Sequence, residues 1–351
     1  MYRSNIPRKT HNTEEVTSLP LSPSTFSATK KFRYPFKAVS KNVAYSSELS
    51  LLFVGGLVNN FNQIGVYSSK TLKQIKMLPT AQKTAFTVFQ TAAYRNTYYL
   101  FVGSLDGSVK VWDIKNNFRL VDSLKFKNSV YAIEVVQAKE AVVIAGYFTD
   151  FYCWDLKAKS ITKVIQTGEI YYFTCVKYVH KGDYLATVCI RTGEMMLFDW
   201  ESGGMLFRKQ EFVKKQQVFA IDVSVSETVM VTGSNSGTIV LWDIGSKQIA
   251  PIYQITSEEA IGEYNSFIKC IYFLDNEGQQ FVGAYTDSML TFWNAGSVSP
   301  VGQTLAFEMG SSFLYDKKKS LFFCFDYNLN GGYAVGRRGP FPKTSIKHKN
   351  T

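Results

Sequence analysis

The feature that most constrains this chain is a recurrence. An aromatic residue closing a short strand-like run falls at positions 67, 112, 154, 198, 242, 293 and 333, with gaps of 45, 42, 44, 44, 51 and 40 residues. A period of this size marks a supersecondary unit that cannot bury its apolar face alone and must stack on copies of itself. The clearest copy lies over 98–124. Tyr99-Leu100-Phe101-Val102-Gly103 runs into a turn at Asp106-Gly107, and the alternating strand Val109-Lys110-Val111-Trp112 then ends at Asp113. After the polar turn Lys115-Asn116-Asn117, a further short strand is predicted near Leu120-Val121. A second copy reads Val142-Val143-Ile144-Ala145-Gly146, Asp150, then Phe151-Tyr152-Cys153-Trp154-Asp155. A third reads Val229-Met230-Val231-Thr232-Gly233, Ser236-Gly237, then Ile239-Val240-Leu241-Trp242-Asp243. Weaker copies end at Tyr67, Phe198-Asp199, Trp293-Asn294 and Tyr333.

The Trp-Asp pairs at 112–113, 154–155 and 242–243, each behind an apolar strand and a small-residue turn, resemble WD repeats across about residues 30–336. That resemblance implies an all-β fold, a seven-bladed β-propeller of four-stranded blades around a central channel. WD repeats usually carry a Gly-His pair before the first strand of a blade. This chain has only His11, His180 and His348, none in that place, so the family's buried hydrogen-bond network must be absent or rebuilt from other residues. His180, in the turn His180-Lys181-Gly182-Asp183, reads as a solvated histidine. Asp106, Asp150 and Asp287 at the inner turns read as caps for backbone donors.

The seventh unit supplies three strands, near 312–315, 320–325 and 332–335, and no fourth follows, because Gly336-Arg337-Arg338-Gly339-Pro340 breaks the pattern. Upstream, Lys31-Phe32-Arg33-Tyr34-Pro35-Phe36 alternates with period two and has no other home. It is predicted to become the outer strand of the last blade and to close the ring, a place where Pro35 is tolerated at an unpaired edge. The expected organisation is a disordered segment over 1–29, rich in Ser, Thr and Pro, then the propeller over 30–336 and a basic tail over 337–351.

The net charge of +11 sits at the ends. Residues 1–42 carry eight Lys/Arg against Glu14 and Glu15, and 337–351 carry Arg337, Arg338, Lys343, Lys347 and Lys349 with no acid, leaving 26 basic and 26 acidic residues over 43–336. A neutral body argues against a broad phosphate-binding surface. No apolar run approaches the roughly 20 residues of a membrane helix, and the first thirty residues lack the apolar stretch of a secretory signal. The odd cysteine count (Cys153, Cys175, Cys189, Cys270, Cys324), without metal-ligand spacing, reads as reduced core thiols of a cytoplasmic or nuclear protein.

No catalytic residue, metal site or cofactor is expected, since the chain has no Gly-rich phosphate loop, zinc spacing or nucleophile elbow. In such a blade the loops joining blades, and those between the second and third strands, reach one face. There the sequence places Phe61, Phe126, Tyr147, Phe148, Arg191, Lys214, Lys215 and Tyr285, aromatic and basic residues of the kind that anchor interfaces, with Glu258, Glu259 and Glu263 in the longest loop. The expected function is a non-catalytic scaffold that binds a protein or peptide on this face, within a larger assembly. The alternative is an adaptor whose basic ends meet an acidic lipid surface or RNA. Arg337-Arg338-Gly339 resembles the Arg-Arg-Gly motif of phosphoinositide-binding propellers, although it follows the last unit instead of lying between blades.

Overall fold

The computed structural model describes residues 26–33, 38–94, 96–167, 172–190, 192–210, 217–245, 249–255, 267–285, 289–295, 302–305, 310–316, 321–326 and 331–337. They form seven four-stranded antiparallel sheets, the arrangement of a seven-bladed β-propeller. Blades 1 to 6 are each built from four consecutive strands, over 38–82, 86–125, 130–166, 173–210, 218–255 and 268–305. Their innermost strands are Ala38–Ser46, Phe86–Tyr94, Val130–Val136, Phe173–Val179, Val218–Val223 and Ile268–Phe273. Each lies against the next, and the inner strand of blade 7, Gly310–Asp316, lies against those of blades 6 and 1. No helix among the described residues is long and apolar enough to cross a membrane.

Blade 7 takes Gly310–Asp316, Leu321–Asp326 and Gly331–Arg337 from one end of the chain and Phe26–Arg33 from the other. The last two pair antiparallel, from Phe26 opposite Arg337 to Arg33 opposite Gly331. The strand therefore begins four residues inside the segment expected to be disordered, and Arg337, assigned to the tail, is its partner. Main-chain pairing extends beyond the alternating run to Phe26, Ser27 and Ala28, with a register shift between Ala28 and Lys30. Residues 1–25, 34–37 and 338–351 lie outside the described residues, so Tyr34, Pro35 and Phe36 do too.

Burial follows strand position. The second strand of blade 3, Ala141–Gly146, is buried at every residue because other strands flank it and neighbouring blades cover both faces. The outer strand Ser160–Gln166 is exposed at alternate residues. The core fills the wedges between blades. Phe151 of blade 3 meets Phe173 and Phe198 of blade 4 at centroid distances of 4.6 and 5.4 Å. Gly103 allows one such approach, since a Cβ there would stand 2.7 Å from Val130 of the next blade. Gly107 holds φ at +83° in the second turn. Beside it, the Asp106 carboxylate accepts the Ser108 N–H at 3.0 Å and pairs with Lys125 at 3.1 Å. Burial alone would raise its pKa, but these bonds and one from Ser104 outweigh it and hold the group well below the usual carboxylate range. Asp150 is the first residue of its strand, and Asp287 lies outside the described residues.

In blade 5 a short buried hydrogen-bond chain without histidine is present. Trp242 Nε1 donates to Thr232 Oγ1 at 3.0 Å, and that hydroxyl donates to the Val240 carbonyl at 3.3 Å. In blade 3 the register puts Ile144 where Thr232 stands, and the buried Trp154 Nε1 has no hydrogen-bond partner. In blades 1 to 5 the outer strand carries a bulge opposite the closing aromatic, which strengthens the local twist at a free edge.

Candidate binding face and central channel

All inner strands start on the same face, and their alternation builds the mouth of the channel. The first residues of three of them, Val130, Val218 and Ile268, are fully buried between blades. The second residues, Tyr131, Phe219 and Lys269, turn to the axis and line a cavity of about 750 Å³ together with Tyr147, Tyr172 and Phe267. Tyr147 sits in the second turn of blade 3 and stacks on Tyr172 of blade 4, with centroids 3.6 Å apart and planes within 3°. Tyr147 is 49% exposed, Phe267 48% and Phe219 37%. Large apolar surface left this open on a rigid rim is the composition of an interface core.

Polar groups of the inner strands bond across the blade seams, beginning with Thr87 and Thr174, which share the mouth lining with the rings. Thr174 donates its hydroxyl to the Val218 carbonyl of the next blade at 2.7 Å, and Thr87 donates in the same way to Val130. Deeper, the Glu134 carboxylate pairs with Lys177 of the next blade at 3.3 Å and accepts the Tyr178 N–H at 3.5 Å. Asp222 accepts the Phe273 N–H at 2.8 Å, and Tyr272 donates to the Phe313 carbonyl at 2.9 Å. The Glu134 charge raises the Lys177 pKa against the opposing effect of burial, and Asp222 adds to the rise. Burial pushes the Cys175 thiol up to about 11 and Cys270 up to about 12, so neither is a thiolate at neutral pH. Glu134, Cys175, Lys177, Cys270 and Tyr272 line a second cavity of about 380 Å³. Among the described residues no group of three or more His, Cys, Asp or Glu could hold a metal ion.

Of the residues expected on this face, Tyr147 lines the mouth. Phe126 and Phe148 stack on each other at 5.5 Å and both meet Tyr152, partly buried against the core of blades 2 and 3. Phe61 opens the third strand of blade 1, is 40% exposed and does not line the mouth. Tyr285 is the last residue of a second strand, paired with Ile268, and not part of a loop. Arg191, Lys214, Lys215, Glu258, Glu259 and Glu263 lie outside the described residues, as do Arg338, Lys343, Lys347 and Lys349, while Arg337 ends its strand. Tyr131, Tyr172, Phe219, Phe267 and Lys269 were not anticipated, because loops were read for function and strand starts were not. The available signal was the second position of three inner strands, where Tyr131, Phe219 and Lys269 follow a buried aliphatic residue.

Comparison with known proteins agrees with this architecture. The model of the WD domain, G-beta repeat family matches residues 83–113 and 209–243, the segments that end in the Trp-Asp pairs of blades 2 and 5. The chain is 24% identical over 195 residues to cilia- and flagella-associated protein 52 of Bos taurus, covering 54% of this chain and 30% of that protein. Among solved structures, the crystal structure of Chaetomium thermophilum Raptor superposes with a TM-score of 0.74 at 13% identity, over 89% of this chain and 29% of Raptor, a likeness of fold. The chain thus spans less than a third of the length of each. Seven four-stranded blades give the chain the architecture of a seven-bladed propeller, and two of its segments, 83–113 and 209–243, match the WD repeat.

Proposed function

We propose that this propeller is a non-catalytic scaffold that binds a protein or peptide at the mouth of its channel, as a subunit of a larger assembly. WD-repeat propellers generally serve as interaction scaffolds, and the observation that carries the reading here is the aromatic rim around a cavity of about 750 Å³. Tyr147, Phe219 and Phe267 keep between a third and a half of their surface open there, and buried aromatic anchors dominate binding energy in protein interfaces. The wall beneath favours the same reading, since its described carboxylates, Glu134 and Asp222, are committed to hydrogen bonds within the ring. General acid–base chemistry needs a titratable group free to reach a substrate.

The test is affinity purification of the tagged full-length chain beside a Tyr147→Ala/Phe219→Ala double variant, with partners identified by mass spectrometry. The variant should melt close to the wild type and lose the stoichiometric partners. Retention of every partner by the variant would remove the mouth as the binding face.

A further inference from the structure

We infer that the face opposite the mouth docks, along blades 1 to 3, on an anionic lipid bilayer. This surface lies apart from the channel mouth, and its failure would leave the reading of the mouth intact. Inner strands start at the mouth, so the second turns of the blades lie on that face and the first and third turns on the opposite one. The neutral total over 43–336 conceals a segregation there. The third turns of blades 1, 2 and 3, over 69–73, 114–118 and 156–159, hold Lys70, Lys73, Lys115, Lys157 and Lys159 and no acid, and Arg119 follows the second of them. The flanking Asp113 and Asp155 cap backbone N–H groups of their own turns, and the first turns of blades 1 and 3 add Glu48 and Glu140. On the far side of the ring the sign reverses. Glu201 stands in the third turn of blade 4, and Glu227, Asp275 and Glu277 stand in the first turns of blades 5 and 6. Lys73, Arg119, Lys157 and Lys159 are exposed and make no ion pair with a described residue. Arg337 ends its strand on this same face, in the blade beside blade 1, and the sequence beyond it holds Arg338, Lys343, Lys347 and Lys349 with no acid.

Two anionic surfaces fit such a charge pattern, a bilayer and a nucleic acid, and the neighbouring side chains favour the bilayer. Single-stranded nucleic acid is held by stacking its bases on open rings. The rings at the basic turns are engaged instead. Phe118 packs edge-on against Phe53 at 6.4 Å with Lys76 over its face, and Tyr98 lies under Lys115. What stands open is aliphatic. Ile75 and Leu120, each the second residue of its outer strand and beside one of these turns, are 54% and 48% exposed. Lysines interspersed with open aliphatic side chains suit a headgroup layer, where each cation gains from the surface potential and the aliphatic groups reach the acyl boundary. The acids of blades 4 to 6 orient the ring so that blades 1 to 3 meet lipid first. The mouth, on the other face, stays open to a partner.

The experiment is co-sedimentation of the full-length chain with vesicles of phosphatidylcholine containing about one third phosphatidylserine, beside vesicles of phosphatidylcholine alone, with a short single-stranded RNA as the competing probe. The chain should bind the phosphatidylserine vesicles and not the neutral ones, and added salt should release it. At about fivefold for each cation near the surface, Lys157→Gln/Lys159→Gln should weaken binding about 25-fold. Lys83→Gln/Lys127→Gln removes as much charge from exposed positions on the mouth face and should leave vesicle binding unchanged. Ile75→Ser/Leu120→Ser should weaken vesicle binding several-fold and leave RNA binding alone. All three variants should melt with the wild type, as exposed substitutions do. Equal losses from the two lysine pairs, no binding to the phosphatidylserine vesicles, or binding lost only on deleting 338–351 would overturn blades 1 to 3 as the docking surface. RNA that binds more tightly than the vesicles, and loses affinity with Lys157→Gln/Lys159→Gln, would replace the bilayer with a nucleic acid.

Discussion

The mouth and the wall of the channel are built by inner strands of the same ring, and they are made in opposite ways. At the wall, polar groups reach into the next blade and find partners: Glu134 with Lys177, Asp222 with Phe273 and Tyr272 with Phe313. At the mouth, exposed rings dominate the lining of an open cavity, beside Lys269 and a few neutral polar residues such as Gln217 and Asn235. A satisfied polar seam contributes to holding blades in register, and its loss costs stability. An open aromatic rim contributes little to the monomer and has surface to give to a partner. A partner across the blade seam therefore separates the residues that hold the ring from the exposed rings that can act.

The most severe way to challenge this contrast is to remove residues 26–33. If Phe26–Arg33 closes the ring, its loss should lower the melting temperature more than any single substitution, because every wall contact depends on its neighbouring blade. An unchanged melting curve would mean that the ring holds without this strand. Next, Glu134→Ala should destabilise the fold by about 2 kcal/mol, since it orphans a partly buried Lys177. The Glu134→Leu/Lys177→Met double variant should recover most of that loss in chemical denaturation, and failure to recover would place the cost in packing. Thr174→Val should cost about 1 kcal/mol by leaving the Val218 carbonyl without its donor. The smallest effect should come from Phe219→Ser at the mouth, within about 0.5 kcal/mol, as for a surface change away from packing. A larger loss there would show that the rim is part of the core and would erase the contrast.

The fold was legible because each blade repeats constraints that only a few residue types satisfy. A bulky aromatic closes the third strand, as Trp242 does fully buried, and a glycine such as Gly103 stands where the next blade comes too close for a Cβ. The start of the N-terminal strand was less legible, because Phe26, Ser27 and Ala28 pair through the main chain before an irregularity at Thr29 that the alternation of 31–36 does not announce. The mouth was the least legible. Tyr131 and Phe219 follow a buried valine inside apolar runs, and one-dimensional pattern does not separate a ring facing the channel from a ring facing the core. The substitution of Ile144 for a hydroxyl beneath Trp154 was hidden for a related reason. Both residue types suit a buried strand, and only the register reveals which tryptophan has lost its acceptor.

The pairing of Phe26–Arg33 with Gly331–Arg337 carries a consequence for synthesis. At translation rates of about 5–20 residues per second, this strand leaves the ribosome roughly 15 to 60 seconds before its partner exists. For that interval the nascent chain holds an early β-segment with nothing to pair against and a growing stack of blades with an open side. Unpaired strand edges of this kind recruit other chains. The protein is thus most exposed to aggregation late in its own production, when six blades are complete and the seventh still waits for its second half.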